Sequence, residues 1–424
     1  MKISFDYQDA ITIKHKLKKP KNQNSNSLSP FIARCSLLIA LNLTITLPDT
    51  TIHAMPLIVD AHQDLAWNAI TFKRDYSQSA LAIRESEKGT DAPIKNGLCT
   101  IGLPELLQGD VAIVFGTLFA SPMRRKMGEW DGIAYADSEQ AHKLYSQQLD
   151  YYNRLVDEHQ QFALINNKSD LEKVLATWQE SKSPTSINVE DIDKRKIGIV
   201  RLIEGADCIR EPQEAEWWME RGVRIVGLAW TGTKYSGGTG EPAPLTPEGR
   251  RLLRVMSDLG LMLDLSHSSD ESFFESLDRF EGTVIASHAN PRALWLDEVN
   301  VPERALSDDM IRQLAERDGV MGIVPYNRFL KATWKVSDGK TLSVNHIAAM
   351  MDHVCQITGS ADHVGIGSDL DGGFGAESIP AEMDTVADLK KVEEALKAKG
   401  YNDGDTEKIM SGNWLRILRK GLPA

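Results

Sequence analysis

Residues 55–64 read Met-Pro-Leu-Ile-Val-Asp-Ala-His-Gln-Asp. The short apolar run Leu57–Val59 leads within a few residues to His62 and Asp64, two residue types able to ligate a metal. A near-continuous apolar run of this kind suits a parallel strand buried on both faces. On an extended strand residues two apart point to the same side, so His62 and Asp64 share one direction. Seven further runs follow: Val111–Phe119, Ile197–Ile203, Val223–Trp230, Leu261–Leu265, Thr283–Ala286, Val320–Val324 and Val364–Ile366.

Helical patterns lie between most of these runs. Asp137, with Gln140 three residues on, predicts a capped helix whose apolar face carries Ala141, Leu144, Tyr145, Leu149, Tyr152, Leu155 and Val156. Thr246-Pro247 marks another helix start, followed by Leu252, Leu253, Met256 and Leu259 on one face. Ser307, with Asp308 and Asp309, opens a third that Gly319 can end, and a fourth runs from about Val344 to Ile357, ending near Gly359. Eight β runs alternating with helices predict an α/β fold, a (β/α)8 TIM-like barrel. The long segments between the first three runs predict extra helices over the barrel mouth. A doubly wound open sheet is the structural alternative, but no Gly-x-Gly-x-x-Gly turn follows the first run.

In such a barrel chemistry sits at the carboxyl ends of the strands. The third run ends in Glu204, the fifth in Asp264-Leu265-Ser266-His267, the sixth in Ser287-His288 and the eighth in Gly367-Ser368-Asp369-Leu370-Asp371-Gly372. A lone His at a strand end is more often a hydrogen-bonded structural residue than a ligand, and a lone Glu more often a cap or ion-pair partner. Here five of eight strands, counting the first, end in His, Asp or Glu. Burying that many ionisable groups in one mouth without a cation is costly. Imidazole and carboxylate without thiolate suit Zn²⁺, with other divalent transition metals as alternatives. The set exceeds one tetrahedral site. Two ions bridged by a carboxylate, with an activated water between them, account for the count.

Composition agrees. The chain has 424 residues, a formal net charge of −12 and four cysteines, none in a Cys-x-x-Cys pair. The charge disfavours nucleic acid and anionic membrane as partners. The cysteines disfavour a disulfide scaffold or a thiolate metal knuckle. Residues 1–54 differ from the rest. Lys14–Leu28 is basic and polar, and the apolar stretch Phe31–Leu47 contains Arg34 and Asn42. They are expected to form a disordered extension, a misplaced start or a weak signal or anchor segment. Residues 55–424 are expected to form one barrel domain in a cytoplasmic protein, with a homodimer as the default assembly.

In this order, Asp60-x-His62-x-Asp64, Ile203-Glu204-Gly205, Asp264-Leu265-Ser266-His267, Ser287-His288 and Gly367-Ser368-Asp369-Leu370-Asp371-Gly372 resemble the membrane (renal-type) dipeptidase family, peptidase family M19, among the amidohydrolase-like metal barrels. The resemblance runs from about Pro56 to the C-terminus and includes Gly412-Asn413-Trp414-Leu415-Arg416. It implies a binuclear zinc peptidase acting on dipeptides, small-molecule substrates. His62 and Asp64 would bind one zinc ion, His267 and His288 the other, and Glu204 would bridge both. Asp369 would carry the proton from the attacking, metal-bridging hydroxide to the leaving amine. Arg304 would pair with the substrate carboxylate, as a planar guanidinium suits. One departure stands out. Where the family has Leu-Thr-His after the fourth strand, this chain has Leu228-Ala229-Trp230. Indole is a donor only, so Trp230 either donates one hydrogen bond to substrate or walls the pocket. It motivates an alternative in which the same metal site acts on a non-peptide amide, a lactone or a phosphoester. Asp371 is expected to be a supporting or turn residue, His346 and His353 a solvated or packing stripe rather than a metal pair, Trp217-Trp218 a helix-packing pair and Tyr326 a pocket residue.

Overall fold

A computed structural model describes residues 57–179, 194–295 and 302–424 of the chain. Residues 1–54, with the extension, start or anchor expected there, lie outside the described residues. Eight strands form the core: β1 (Ile58–Gln63), β2 (Val111–Phe119), β3 (Ile197–Glu204), β4 (Val223–Gly227), β5 (Met262–Asp264), β6 (Val284–Ile285), β7 (Met321–Ile323) and β8 (Val364–Ile366). Each falls on one of the eight apolar runs. Every residue of β1, β2 and β3 is buried, the condition that produces near-continuous apolar sequence. All pairings are parallel, in the order β7-β8-β1-β2-β3-β4-β5-β6. A parallel bridge between Ala286 and Met321 brings the two ends together. There the Ala286 amide donates to Val320 O at 2.9 Å and the Gly322 amide to Ala286 O at 2.8 Å. The result is a nearly closed (β/α)8 barrel.

The helix starts follow their caps. Asp137 accepts from the Gln140 amide at 2.9 Å and opens the helix Ser138–Glu158. Thr246 accepts from the Gly249 amide at 3.0 Å and opens Pro247–Leu259. The helix Val344–Thr358 ends at Gly359, left-handed with φ 72°. Two boundaries differ from expectation. The helix Asp308–Glu316 stops at Arg317, before Gly319. The fourth run was expected to reach Trp230, but β4 stops at Gly227. There Leu228 O is taken by the Ala206 amide and the Thr233 hydroxyl, and Trp230 O by the Thr239 amide, so the chain turns back on itself. A ninth strand, Phe162–Leu164, pairs with the first half of β3 and had no alternating pattern to announce it.

Four short helices, Leu65–Phe72, Ala80–Ser86, Ala92–Asn96 and Leu103–Gln108, fill the connection between β1 and β2. The C-terminal helix Asn413–Gly421 locks β8. Asn413 donates to Ala361 O and Val364 O at 2.7 and 2.8 Å, and Trp414 Nε1 to Ile366 O at 2.9 Å. Among the described residues no helix is long and apolar enough to cross a membrane.

Candidate metal centre

The carboxyl ends of the strands open into a cavity of about 510 Å³. Asp64, Glu204, Trp230, His267, His288, Arg304 and Asp369 all line it. His62 lies just beneath, fully buried. The eight residues come from six different strand ends and one 3₁₀ turn, Pro302–Arg304, so only the closed barrel assembles them. His62 is on β1 itself. Asp64 arrives by a route other than strand alternation. The strand ends at Gln63, and Asp64 caps the helix Leu65–Phe72 with φ −85° and ψ 46°. The Thr117 hydroxyl, from β2, then donates to its carboxylate.

Glu204 is the hub. Its Oε1 lies 3.1 Å from His267 Nε2 and 3.3 Å from His288 Nε2, and its Oε2 lies 3.7 Å from His62 Nε2. His62 Nε2 is also 3.9 Å from Asp64 Oδ1 and 4.0 Å from Asp369 Oδ1. Arg304 donates to His288 O at 2.9 Å and stands 3.7 Å from Asp369 Oδ2.

Two observations test whether a metal fits. His62 Nε2 is buried and makes no hydrogen bond. His267 Nε2 and His288 Nε2 face each other at 2.9 Å and also face the same carboxylate oxygen. Lone pairs aimed at one another, with carboxylates between, are what a bound cation organises. Within 4.8 Å, His62, Glu204 and His288 form one group of donors, and His62, Asp64 and Asp369 another. The donors are nitrogen and oxygen only, which suits zinc and its divalent neighbours.

The far side of each ring is also held. Ser287 Oγ donates to Asp264 Oδ2 at 2.5 Å. It lies 2.9 Å from His288 Nδ1 and 3.4 Å from His62 Nδ1. Thr239 Oγ1 lies 2.9 Å from His267 Nδ1. With Nδ1 engaged, each Nε2 is left to face the cavity. Sequence reading quoted Ser287 and Asp264 beside the histidines but gave them no role, and it missed Thr239 and Thr117. Ser287 carried a signal, a hydroxyl directly before a strand-end His. Thr239 carried none, because a loop brings it in.

Charge follows from this packing. Burial opposes a proton on His62, yet Glu204, Asp64 and Asp369 raise its pKa to about 9. Burial lowers His267 to about 4, helped by the Arg304 charge, and holds His288 well below the imidazole range, helped by His62 and Arg304. Burial works against charge on Glu204, but His62 and the hydrogen-bonded imidazoles hold it well below the carboxylate range. Asp64 rises to about 6, chiefly by burial, and burial with Asp64 and Glu204 nearby pushes Asp369 well above its ordinary value. His267 and Asp369 have φ of 64° and 54°. Such left-handed backbone costs a non-glycine residue on the order of 1 kcal/mol or more and clusters at functional sites.

The residues given supporting roles behave as expected. Asp371 is buried and accepts from the Thr100 amide and hydroxyl, both at 2.7 Å, from Tyr76 at 3.0 Å, and pairs with Arg74 at 3.1 Å. His353 pairs with Asp308 at 2.8 Å, away from the cavity. Trp217 and Trp218 meet edge-to-face at 4.9 Å beside His142, and Tyr326 lines the cavity.

Comparison with known proteins supplies the family. The family model for membrane dipeptidase, peptidase family M19, matches residues 49–421. Dipeptidase tcpJ of Claviceps purpurea is 26% identical over 337 residues, 77% of this chain and 71% of that protein. Dipeptidase 3 of Mus musculus is 27% identical over 182 residues, 42% of this chain and 33% of that protein. Among solved structures, an M19 metallopeptidase, dipeptidase AC, has the same fold, with TM-score 0.68 at 20% identity over 88% of this chain and all of that one. A metallopeptidase from Rhodobacter sphaeroides, liganded with a phosphinate mimic of L-Ala-D-Ala, reaches TM-score 0.67 at 19% identity over 87% of this chain and all of that one. The match to nearly the whole barrel makes this protein a metal-dependent dipeptidase, and the chain belongs to the membrane dipeptidase family, peptidase family M19.

Proposed function

We propose that the centre is binuclear and holds zinc, with His62 and Asp64 on one ion, His267 and His288 on the other, and Glu204 shared. The observation that carries this reading is the position of Glu204, one oxygen facing His267 and His288 and the other facing His62. Such ions supply Lewis-acid polarisation of the scissile carbonyl and a water of lowered pKa. Arg304 fixes the substrate's terminal carboxylate with its buried guanidinium. Asp369, whose proton affinity burial raises, takes a proton from the attacking water and returns it to the leaving amide nitrogen. It stands 3.7 Å from Arg304, so the carboxylate-binding end and the proton-transfer end of the site are adjacent. Trp230 lies on the cavity wall, packed on Phe119 with ring centres 5.0 Å apart, and shapes the pocket. Family membership favours a dipeptide over the non-peptide amide, lactone or phosphoester that Trp230 suggested.

The test is hydrolysis of L,L- and L,D-dipeptides by the zinc-loaded protein. Turnover is expected to fall at least about 10²-fold in Asp369→Asn with zinc still bound. Full activity in that variant would contradict the role given to Asp369.

A further inference from the structure

Above the acid and imidazole cluster the cavity has two aromatic walls. On one side Trp230 packs edge-on against Phe119, ring centres 5.0 Å apart, and Phe119 against Trp67 at 6.2 Å. These residues follow β4, end β2 and sit on the helix after β1. On the other side Phe329 meets Trp295 at 5.4 Å and Tyr326 at 5.0 Å. These follow β6 and β7. In the barrel order β2 and β4 flank β3, while β6 and β7 adjoin each other on the far side of the ring, so the two walls face each other across the mouth. The Arg304 guanidinium lies 4.7 Å over the Phe329 ring, which ties the carboxylate-binding end to the second wall.

Resting on the proposed role of Arg304, we propose that this enzyme selects dipeptides with large apolar or aromatic side chains at both positions. A carboxylate held at Arg304 puts the C-terminal residue's side chain against Phe329, Tyr326 and Trp295. The scissile bond then lies over the acid and imidazole cluster, and the N-terminal residue's side chain reaches Trp230, Phe119 and Trp67. Two further cations line the mouth. Arg125 is engaged by Glu241 at 2.9 Å, and Arg328 is exposed at the rim. Aromatic walls bind apolar side chains by area and by ring geometry, and one filled apolar pocket discriminates by about tenfold or more.

The experiment is kcat/KM of the zinc-loaded full chain on Ala-Ala, Phe-Ala, Ala-Phe, Glu-Ala and Ala-Glu, each as L,L and L,D forms. Phe-Ala and Ala-Phe are expected to exceed Ala-Ala by at least about tenfold in the accepted stereochemistry. Trp230→Ala should abolish most of the Phe-Ala to Ala-Ala ratio and leave the Ala-Phe ratio, and Phe329→Ala should do the reverse. Ala-Ala or Ala-Glu as the best substrate would overturn the inference and leave the dipeptidase assignment standing. So would a wild-type preference that both variants reduce equally. Zinc-loaded protein that cleaves no dipeptide would overturn both the site assignment and the inference.

Discussion

Ser287 Oγ sits between the Nδ1 atoms of His288 and His62 and gives its own proton to Asp264. One hydroxyl therefore orients imidazoles assigned to different ions. Ser287→Ala leaves buried Nδ1–H groups without an acceptor, and zinc affinity is expected to fall about 10–100-fold with the fold intact. Competition with a chromophoric chelator, alongside circular dichroism, measures both. A second prediction follows from His62, raised from 6.5 to about 9. In the metal-free protein this proton favours folding fully below pH 6.5, and that contribution is lost as pH rises through about 9. An incoming ion must displace it, so zinc affinity should climb with pH and level off above about 9. His267, near 4, is already neutral at pH 7.5 and adds no proton. Calorimetry at pH 7.5 in two buffers of different protonation enthalpy should show at least about one proton released per chain; none released would refute the proton assignment.

At the scale of elements, barrel closure depends on close approach between β6, β7 and β8. A Cβ on Gly322 or Gly367 would run into the main-chain oxygen of Ser287. Gly367→Ala is expected to cost about 1–3 kcal/mol and to shift Ser287, so thermal stability and zinc affinity should fall together. The connection between β1 and β2 is tied to the end of β8 by Asp371; removing that carboxylate leaves the buried Thr100 amide and hydroxyl and the Tyr76 hydroxyl without their acceptor, while Arg74 keeps its pair with Glu87 at 2.8 Å. Asp371→Ala should lose at least about 1–3 kcal/mol in chemical denaturation, more than a surface Asp would. The strands themselves were legible because burial on both faces writes an uninterrupted apolar run. Caps were legible at Asp137, Thr246 and Gly359 because one side chain or one left-handed residue decides them. The end of β4 was not, since Leu228 and Ala229 are as apolar as the strand and only the returning loop stops it. Phe162–Leu164 was not, since three residues are too few to show a period.

Across the whole molecule, the site is a product of closure. Residues as distant in sequence as His62 and Asp369 meet because β1 and β8 are neighbours in the ring. Strand-end position was readable for the residues assigned to metal, because an apolar run that stops in His, Asp or Glu is unusual. The aromatic walls were less readable. Phe329 sits on the short helix Asn327–Leu330 and Trp295 just after the 3₁₀ turn Arg292–Leu294, segments whose path no local pattern specifies, and Trp67 lies among other apolar residues on the helix after β1. Of the 60 acidic residues behind the net charge of −12, Asp64, Glu204 and Asp369 line the cavity. The central claim is that the first two, with three imidazoles, hold two ions around Glu204. Zinc content per chain after metal removal and reconstitution tests it most directly, on wild type and Glu204→Gln side by side. The account predicts about two zinc ions per wild-type chain and loss of zinc, with activity, in the variant. One ion per wild-type chain, or two retained by Glu204→Gln at undiminished affinity, would contradict it.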